Sequence, residues 1–210
     1  MNQWTFNEDV ANNFDYIADT SIPKYRIILY KTLEMIKCYP KNVRILEIGC
    51  ANGNMMSLLK NNGYNNVIGI DTSPSMIQKC KSKGLEVFLV GSRFPTQFGK
   101  FDIIISNWTI HFISDISSRV FYLDDVYNNL NDSGTFILSE KVNGDISEYY
   151  NFKRSNFLSD EEIKQKSESL KNVLITVDEN LYLKLFNDIG FKEVDIIDKT
   201  FCFRTFVLKK

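Results

Sequence analysis

The chain has 210 residues, 25 lysines and arginines against 26 aspartates and glutamates, a net charge of −1, and 44% hydrophobic residues. That length buries about 70% of the surface an unfolded chain exposes, so a full core needs no covalent staples. The near-neutral balance provides no bulk basic field, so direct nucleic-acid binding driven by counterion release is not expected. Four dispersed cysteines (Cys38, Cys50, Cys80, Cys202) with no CxxC pair, and a single histidine, leave no zinc site of the usual spacing, and no metal is expected. The first twenty residues carry Glu8, Asp9, Asp15 and Asp19 and no long apolar run, so neither a signal peptide nor a membrane span is expected, and the reading is a cytoplasmic protein with reduced thiols.

In chain order, apolar residues at helical spacing predict helices over residues 7–19 (Val10, Phe14, Ile17) and 24–38 (Ile28, Leu29, Leu33, Ile36), the second entered at Pro23. The pattern then alternates. Val43–Ile48 reads as a strand, followed by the loop Gly49-Cys50-Ala51-Asn52-Gly53 and a helix to Asn62. Val67–Ile70 is a second strand ending at Asp71, and Ser73-Pro74 opens a helix to about Lys83 as N-cap and first-turn proline. Glu86–Val90 and Phe101–Ser106 are the third and fourth strands, residues 116–130 a helix, and Thr135–Ser139 the fifth strand. Residues 141–178 break the alternation and read as a lid insertion, with a capping box Ser159-x-x-Glu162 opening a helix to about Leu170. A helix over 179–189, a stop at Gly190, and strands over 191–198 and 201–208 complete the chain. Strands alternating with helices at this spacing predict one α/β domain, a mostly parallel seven-stranded sheet covered on both faces. The expected parts are N-terminal helices (1–40), a ligand-binding core (41–140), the lid, and a C-terminal helix and strand pair (179–210).

The chemistry concentrates at Glu47-x-Gly49-Cys50-Ala51-Asn52-Gly53, where the first strand meets a helix. In open α/β sheets, ligands bind beyond the carboxyl ends of the strands at the topological switch point. Gly49 permits a sharp turn, and small Ala51 and Gly53 permit a ligand to approach the backbone. The spacing is G-x-x-x-G and not G-x-G-x-x-G, which disfavours the pyrophosphate of NAD and suits a nucleoside without one. Asp71, 22 residues after Gly49, ends the second strand where a carboxylate accepts bonds from both ribose hydroxyls. The bland alternative is a carboxylate capping the turn at Ser73-Pro74. Glycine loop, Asp71 with the adjoining Thr72, and Asn107 after the fourth strand together resemble the class I S-adenosylmethionine-dependent methyltransferases over residues 43–140, with S-adenosyl-L-methionine as cofactor, S-adenosyl-L-homocysteine as product and a Rossmann-like fold.

The resemblance narrows along the whole chain. Trp4–Phe6 (WTF), Ile22–Tyr25 (IPKY), Asp71–Cys80 (DTSPSMIQKC), Asn107–Phe112 (NWTIHF), Leu138–Lys141 (LSEK), Phe152–Asn156 (FKRSN) and Glu161–Leu174 (EEIKQKSESLKNVL) are similar to the carboxy-S-adenosylmethionine synthase family. That family makes a carboxylated cofactor from S-adenosylmethionine and prephenate for tRNA wobble-uridine modification, and the resemblance implies a homodimer. It also implies cofactor contacts for Tyr25, Gly49, Asp71 and Asn107. Two positions depart. An arginine that grips the product's extra carboxylate is here Ser167, and an aspartate near the adenine is Ser92, which leaves that role to Arg93, to a backbone amide, or unfilled. A hydroxyl supplies neither the charge nor the fork geometry of an arginine. The expected function is therefore methyl transfer to a small-molecule acceptor. Carboxy-cofactor synthesis is the alternative, with an NAD-dependent oxidoreductase or a non-catalytic cofactor binder behind it.

Methyl transfer from a sulfonium needs positioning more than acid–base chemistry, except where the acceptor arrives protonated. His111, four residues after Asn107, is the candidate base for that case, against the alternative of a histidine packed beneath the loop. Trp108 and Tyr150 are candidate walls of the acceptor pocket. Arg154 and Lys166 are candidate contacts to an anionic substrate, against the alternative of solvated helix faces.

Overall fold

The computed structural model describes residues 3–91 and 98–210. The alternation seen in the sequence becomes one seven-stranded sheet in the order β3-β2-β1-β4-β5-β7-β6. Its strands are β1 (Ile45–Ile48), β2 (Val67–Asp71), β3 (Val87–Leu89), β4 (Phe101–Asn107), β5 (Leu130–Lys141), β6 (Glu193–Thr200) and β7 (Phe203–Lys209). The first five run parallel, and β7 pairs antiparallel with β5 and with β6. The chain winds outward from β1 to β3 and then returns to place β4 on the other side of β1. The crevice between the carboxyl ends of β1 and β4 is thus the switch point of the sheet.

Side-chain alternation along the strands builds two cores. Ile45, Ile103, Ile105 and Ile137 point to the face covered by α3 (Tyr25–Ile36), α4 (Asn54–Asn61) and α5 (Pro74–Ser82). Their neighbours Leu46, Ile104, Phe136 and Leu138 point to the opposite face, against α6 (Ile116–Asn129) and α9 (Glu179–Ile189). Apolar side chains on both faces are what the near-continuous run FDIIIS requires of a central parallel strand.

The structure shifts several predicted boundaries. The helix expected over 7–19 is two helices, α1 (Glu8–Asn12) and α2 (Phe14–Ser21), which meet at Asn13, where the backbone (φ −107°, ψ 12°) leaves the helical region while the side-chain amide and the backbone amide both donate to the Asp9 carbonyl. Strand β5 is longer than Thr135–Ser139. Its polar start, Asn131-Asp132-Ser133-Gly134, lacks the apolar pattern that would announce a strand, yet Leu130 pairs with Phe101. Strand β3 is shorter than predicted. The last two strands lie two residues later at their starts, with a register shift between Ile196 and Asp198. The lid holds two helices, α7 (Ser147–Ser155) and α8 (Asp160–Ser169), the second opened by the predicted Ser159–Glu162 capping box. Among the described residues no helix is long and apolar enough to cross a membrane.

Ile104 sits fully buried at the centre of the sheet, whereas Ile27 on the outer face of α3 is 52% exposed. Ile104→Ala is expected to lower the unfolding free energy by about 2–5 kcal/mol. Ile27→Ala should leave it within about 0.5 kcal/mol. Urea unfolding of the two variants measures both.

Candidate functional site

At the end of β1 the chain turns in the left-handed region at Gly49 (φ +68°), and the amides of Gly49 and Cys50 both donate to the Ile70 carbonyl at 2.8 and 3.0 Å. A Cβ at Gly49 would lie 2.2 Å from Thr109 Oγ1, so only glycine fits there. The turn continues through Ala51 (φ +46°) and Gly53 (φ +78°) into α4. Asp71 closes the loop from the neighbouring strand. Its Oδ2 accepts from the Ala51 amide at 2.9 Å and its Oδ1 from the Ser73 amide at 2.8 Å. With the Thr72 amide also beside it, the carboxylate keeps at least one lone pair for a ligand. Burial raises the Asp71 pKa, against the pull of the Ser73, Ala51 and Thr72 amides. The turn-capping alternative is thus also realised: Asp71 organises the loop whatever else it binds.

Above this edge lies a cavity of about 1170 Å³. Gly49, Ala51, Asp71, Thr72, Asn107, Trp108, His111 and Lys166 all line it, so eight of the predicted site residues come together. Asn107 is the most telling of them, because both polar atoms of its side-chain amide are buried and neither has a hydrogen-bond partner. A buried amide without partners costs free energy, and a ligand that bonds to it recovers that cost.

Glu47, Cys50, Gly53 and Tyr25 stand behind the cavity wall. Glu47 is buried beneath the turn, and burial, with the neighbouring Cys80 and Asp71 adding to it, pushes its carboxyl well above the usual range. Cys50 is a buried thiol, its pKa raised first by its bond to Cys80 and then by burial. Gly53 packs where a Cβ would strike Leu85 at 2.3 Å. Tyr25 takes a bond from Asn54 Nδ2 at 3.0 Å and packs on Trp108 with ring centroids 5.3 Å apart. It therefore positions a lining residue and does not itself line the cavity. Tyr150 is half-buried in the lid and not a lining residue, while exposed Arg154 pairs with Asp160 at 2.8 Å. Ser167 is also exposed and outside the lining, so this one copy of the chain does not aim that position into its own cavity. Ser92 and Arg93 lie outside the described residues.

Sequence reasoning missed two groups of residues. The first is Glu140, fully buried, whose Oε1 accepts from the Thr109 and Ile110 amides at 3.0 and 2.7 Å. Its Oε2 meets the His111 amide at 3.1 Å and the His111 Nδ1 at 2.7 Å. An acidic residue ending a strand buried on both faces was the available signal. The second is the pair Lys141 and Lys153, which joins the predicted Lys166 in a set of three lysines. Lys141 and Lys153 stack on the Tyr149 ring at 4.4 and 4.6 Å, and Lys166 donates to Ser21 Oγ at 2.6 Å over the Trp4 ring. None of the three forms an ion pair with a described residue. Burial, reinforced by Lys141 beside Lys153 and by Lys153 beside Lys166, pulls the pKa of Lys153 and of Lys166 down to about 8.

The comparisons with known proteins agree with this geometry. Residues 46–138 match the methyltransferase domain family. Among solved structures, a magnesium protoporphyrin IX methyltransferase from Synechocystis with bound S-adenosylhomocysteine superposes with a TM-score of 0.72 at 12% identity. The superposition covers 98% of this chain and 96% of that one. A putative S-adenosylmethionine-dependent methyltransferase from Methanococcus maripaludis gives 0.69 at 16% identity over 100% and 96%. The carboxy-S-adenosyl-L-methionine synthase of Campylobacter jejuni is 33% identical across 99% of this chain and 94% of its own length. The chain belongs to that synthase family. It is an S-adenosyl-L-methionine-dependent transferase with the class I methyltransferase fold. A second relative from the family, in Nautilia profundicola, is 31% identical over 99% of the chain and 95% of its own length.

The residues present fit the cofactor: a carboxylate with a free lone pair at Asp71, a turn with no room for a Cβ at Gly49, and an unpartnered amide at Asn107.

The lysines give a pH test. Below about pH 8 the folded and unfolded chains both carry these charges, and the folded chain bears the cost of burying them. Between about pH 8 and the unfolded value near 10.5 the folded lysines are neutral while the unfolded ones remain protonated, so this contribution makes stability rise with pH. Lys153→Met is expected to stabilise the protein at pH 7 and to flatten the rise. Urea midpoints taken at pH 7, 8, 9 and 10 for both proteins measure the difference.

Proposed function

We propose that this enzyme transfers the methyl group of S-adenosyl-L-methionine to a small-molecule acceptor in the cytoplasm, without binding nucleic acid directly. The observation that carries this reading is the size and lining of the cavity. At about 1170 Å³ it exceeds the range of roughly 300–1,000 Å³ that suits one drug-sized ligand. It has room for a cofactor along Gly49, Asp71 and Asn107 and for a second molecule beneath the lid.

When bound, S-adenosyl-L-methionine supplies a methyl group already activated by a sulfonium. The protein's task is then to orient, desolvate and exclude water. Asp71 accepts the ribose hydroxyls, and Gly49 and Ala51 let the nucleoside lie against the backbone. Asn107 finds in the cofactor the partners it lacks. Trp108 presents an aromatic face suited to a cationic centre. Helices α7 and α8 roof the site, tied to the N-terminal helices by the Tyr149 hydroxyl on the Ser21 carbonyl at 2.9 Å.

A second reading, carboxy-cofactor synthesis as the relatives are named, is favoured by the lysine set. Lys141 and Lys166 line the cavity as cations without carboxylate partners, and they offer the charge that Ser167 does not. Mass spectrometry of the nucleoside that copurifies with the protein separates the two. A carboxylated sulfonium establishes the second reading, and S-adenosylmethionine or S-adenosylhomocysteine the first. A homodimer, as the resemblance implies, belongs with either.

Charge-assisted hydrogen bonds contribute about 1.5–3 kcal/mol each. Asp71→Ala is therefore expected to weaken S-adenosyl-L-methionine binding at least about tenfold by calorimetry. An unchanged affinity, or no binding by the unmodified protein, overturns the reading. Product detection with a panel of alcohol, phenol and amine acceptors then separates an enzyme from a silent binder.

A further inference from the structure

We propose that Glu140 is a positioning residue that holds His111 in one tautomer, Nδ1 protonated and Nε2 free, and that the acceptor is consequently a protic molecule whose O–H or N–H proton passes to Nε2 as the methyl group arrives. The proposal rests on the methyltransferase reading and deepens it.

The tautomer follows from a donor count. Glu140 meets four groups. Three are backbone amides, which only donate, and they reach both carboxylate oxygens: Thr109 and Ile110 on Oε1, His111 on Oε2. Three amide donors spread over both oxygens are matched by a carboxylate that accepts on each. An ionised carboxylate only accepts, so the fourth contact, at 2.7 Å on Oε2, is a bond donated by His111 Nδ1. Nδ1 therefore carries a proton, and in the proposed neutral ring the lone pair is on Nε2. Among the described residues no hydrogen bond reaches Nε2.

The ring's place is as constrained as its tautomer. His111 is 3% exposed, yet it lines the cavity. Its carbonyl accepts from the Ile175 amide at 2.7 Å, which anchors the short 3₁₀ helix Ile110–Phe112 that carries it. A buried base beside a buried carboxylate is suited to one event, the appearance of an imidazolium, whose charge Glu140 then neutralises. Around it the cavity is aromatic and aliphatic, with Trp4, Phe6, Trp108, Phe112 and Ile113 in its walls.

The step balances. The bond from the donor sulfur to the methyl carbon breaks as the bond from the acceptor oxygen or nitrogen to that carbon forms. The sulfur keeps the electron pair and becomes neutral. The acceptor proton moves to His111 Nε2, and the imidazolium returns it to solvent when the lid opens. An acceptor with no proton to lose, such as a thioether or a tertiary amine, gains nothing from this pair.

Because His111 is the chain's single histidine, the test is unambiguous by two-bond ¹H–¹⁵N spectroscopy of the full chain labelled with ¹⁵N-histidine. The expected spectrum shows Nδ1 protonated and Nε2 bare, both in the free protein and with S-adenosyl-L-homocysteine bound. Adding phenol to the latter complex should move the Nε2 resonance, while anisole, of similar shape but without the proton, should not. A histidine that only packs responds to neither. A proton found on Nε2, or an Nε2 blind to phenol, overturns the proposal. Glu140→Gln should convert the single tautomer into a mixture, and an unchanged tautomer in a folded variant also counts against it. If that variant fails to fold, the unmodified protein still decides. His111→Gln should bind S-adenosyl-L-methionine as tightly as the unmodified protein, while transfer to a protic acceptor falls about 100-fold or more, in kcat and not in KM. Calorimetry on the same samples keeps the two readings apart. Loss of cofactor binding by the unmodified protein removes the methyltransferase reading, whereas normal binding with a proton on Nε2 removes this proposal alone.

Discussion

The contact between Gly49 and Thr109 holds the site together. A hydrogen in place of a methyl group lets the end of β1 press against the loop that follows β4, with no space left at 2.2 Å from the threonine hydroxyl. On one side of that contact the chain turns back onto β2, so that the Ala51 amide faces Asp71. On the other, the Thr109 amide donates to Glu140, which takes in turn the amides of Ile110 and His111 and the His111 ring. Two strand ends that belong to different halves of a doubly wound sheet are thereby registered to one another. Asp71 and the proton acceptor of the proposed reaction share one reference point.

Much of this was legible in the sequence. A strand covered on both faces announces itself as a continuous apolar run, as FDIIIS does. A turn that needs a left-handed residue announces itself as glycine, and an acidic residue closing β2 is a short-range signal. These features are local, and local patterns survive translation into structure. The strand pair at the carboxyl terminus and the lid helix with its capping box were legible for the same reason.

What was not legible is long-range. Nothing in the row of letters says that Glu140, at the end of one strand, meets a histidine 29 residues earlier. That pairing exists only because β4 and β5 are neighbours in the sheet. Nor does sequence tell which of two adjacent basic residues turns inward. Lys153 is buried on Tyr149, while Arg154, next to it, points to solvent and pairs with Asp160. The same geometry places Tyr25, expected to touch the cofactor, one layer behind the cavity wall, and it moves the weight once placed on Ser167 to residues that do line the cavity. The helix break at Asn13 was lost because the apolar spacing runs through it unchanged, while the backbone leaves the helical region at that one residue.

One stitch joins the roof of the site to its floor. The Ile175 amide bonds the His111 carbonyl, and the guanidinium of the fully buried Arg119 spans the carbonyls of Ile113 and Ile175 from beneath. The stretch of chain that leaves the lid is thus sewn to the loop that carries the ring. Position and access are therefore one mechanical variable in this fold: the roof cannot lift at that end without pulling on the loop below. In such an arrangement, distance from the ligand is a poor guide to importance. Arg119 touches nothing that reacts, yet it is the thread that holds lid and ring in the same frame.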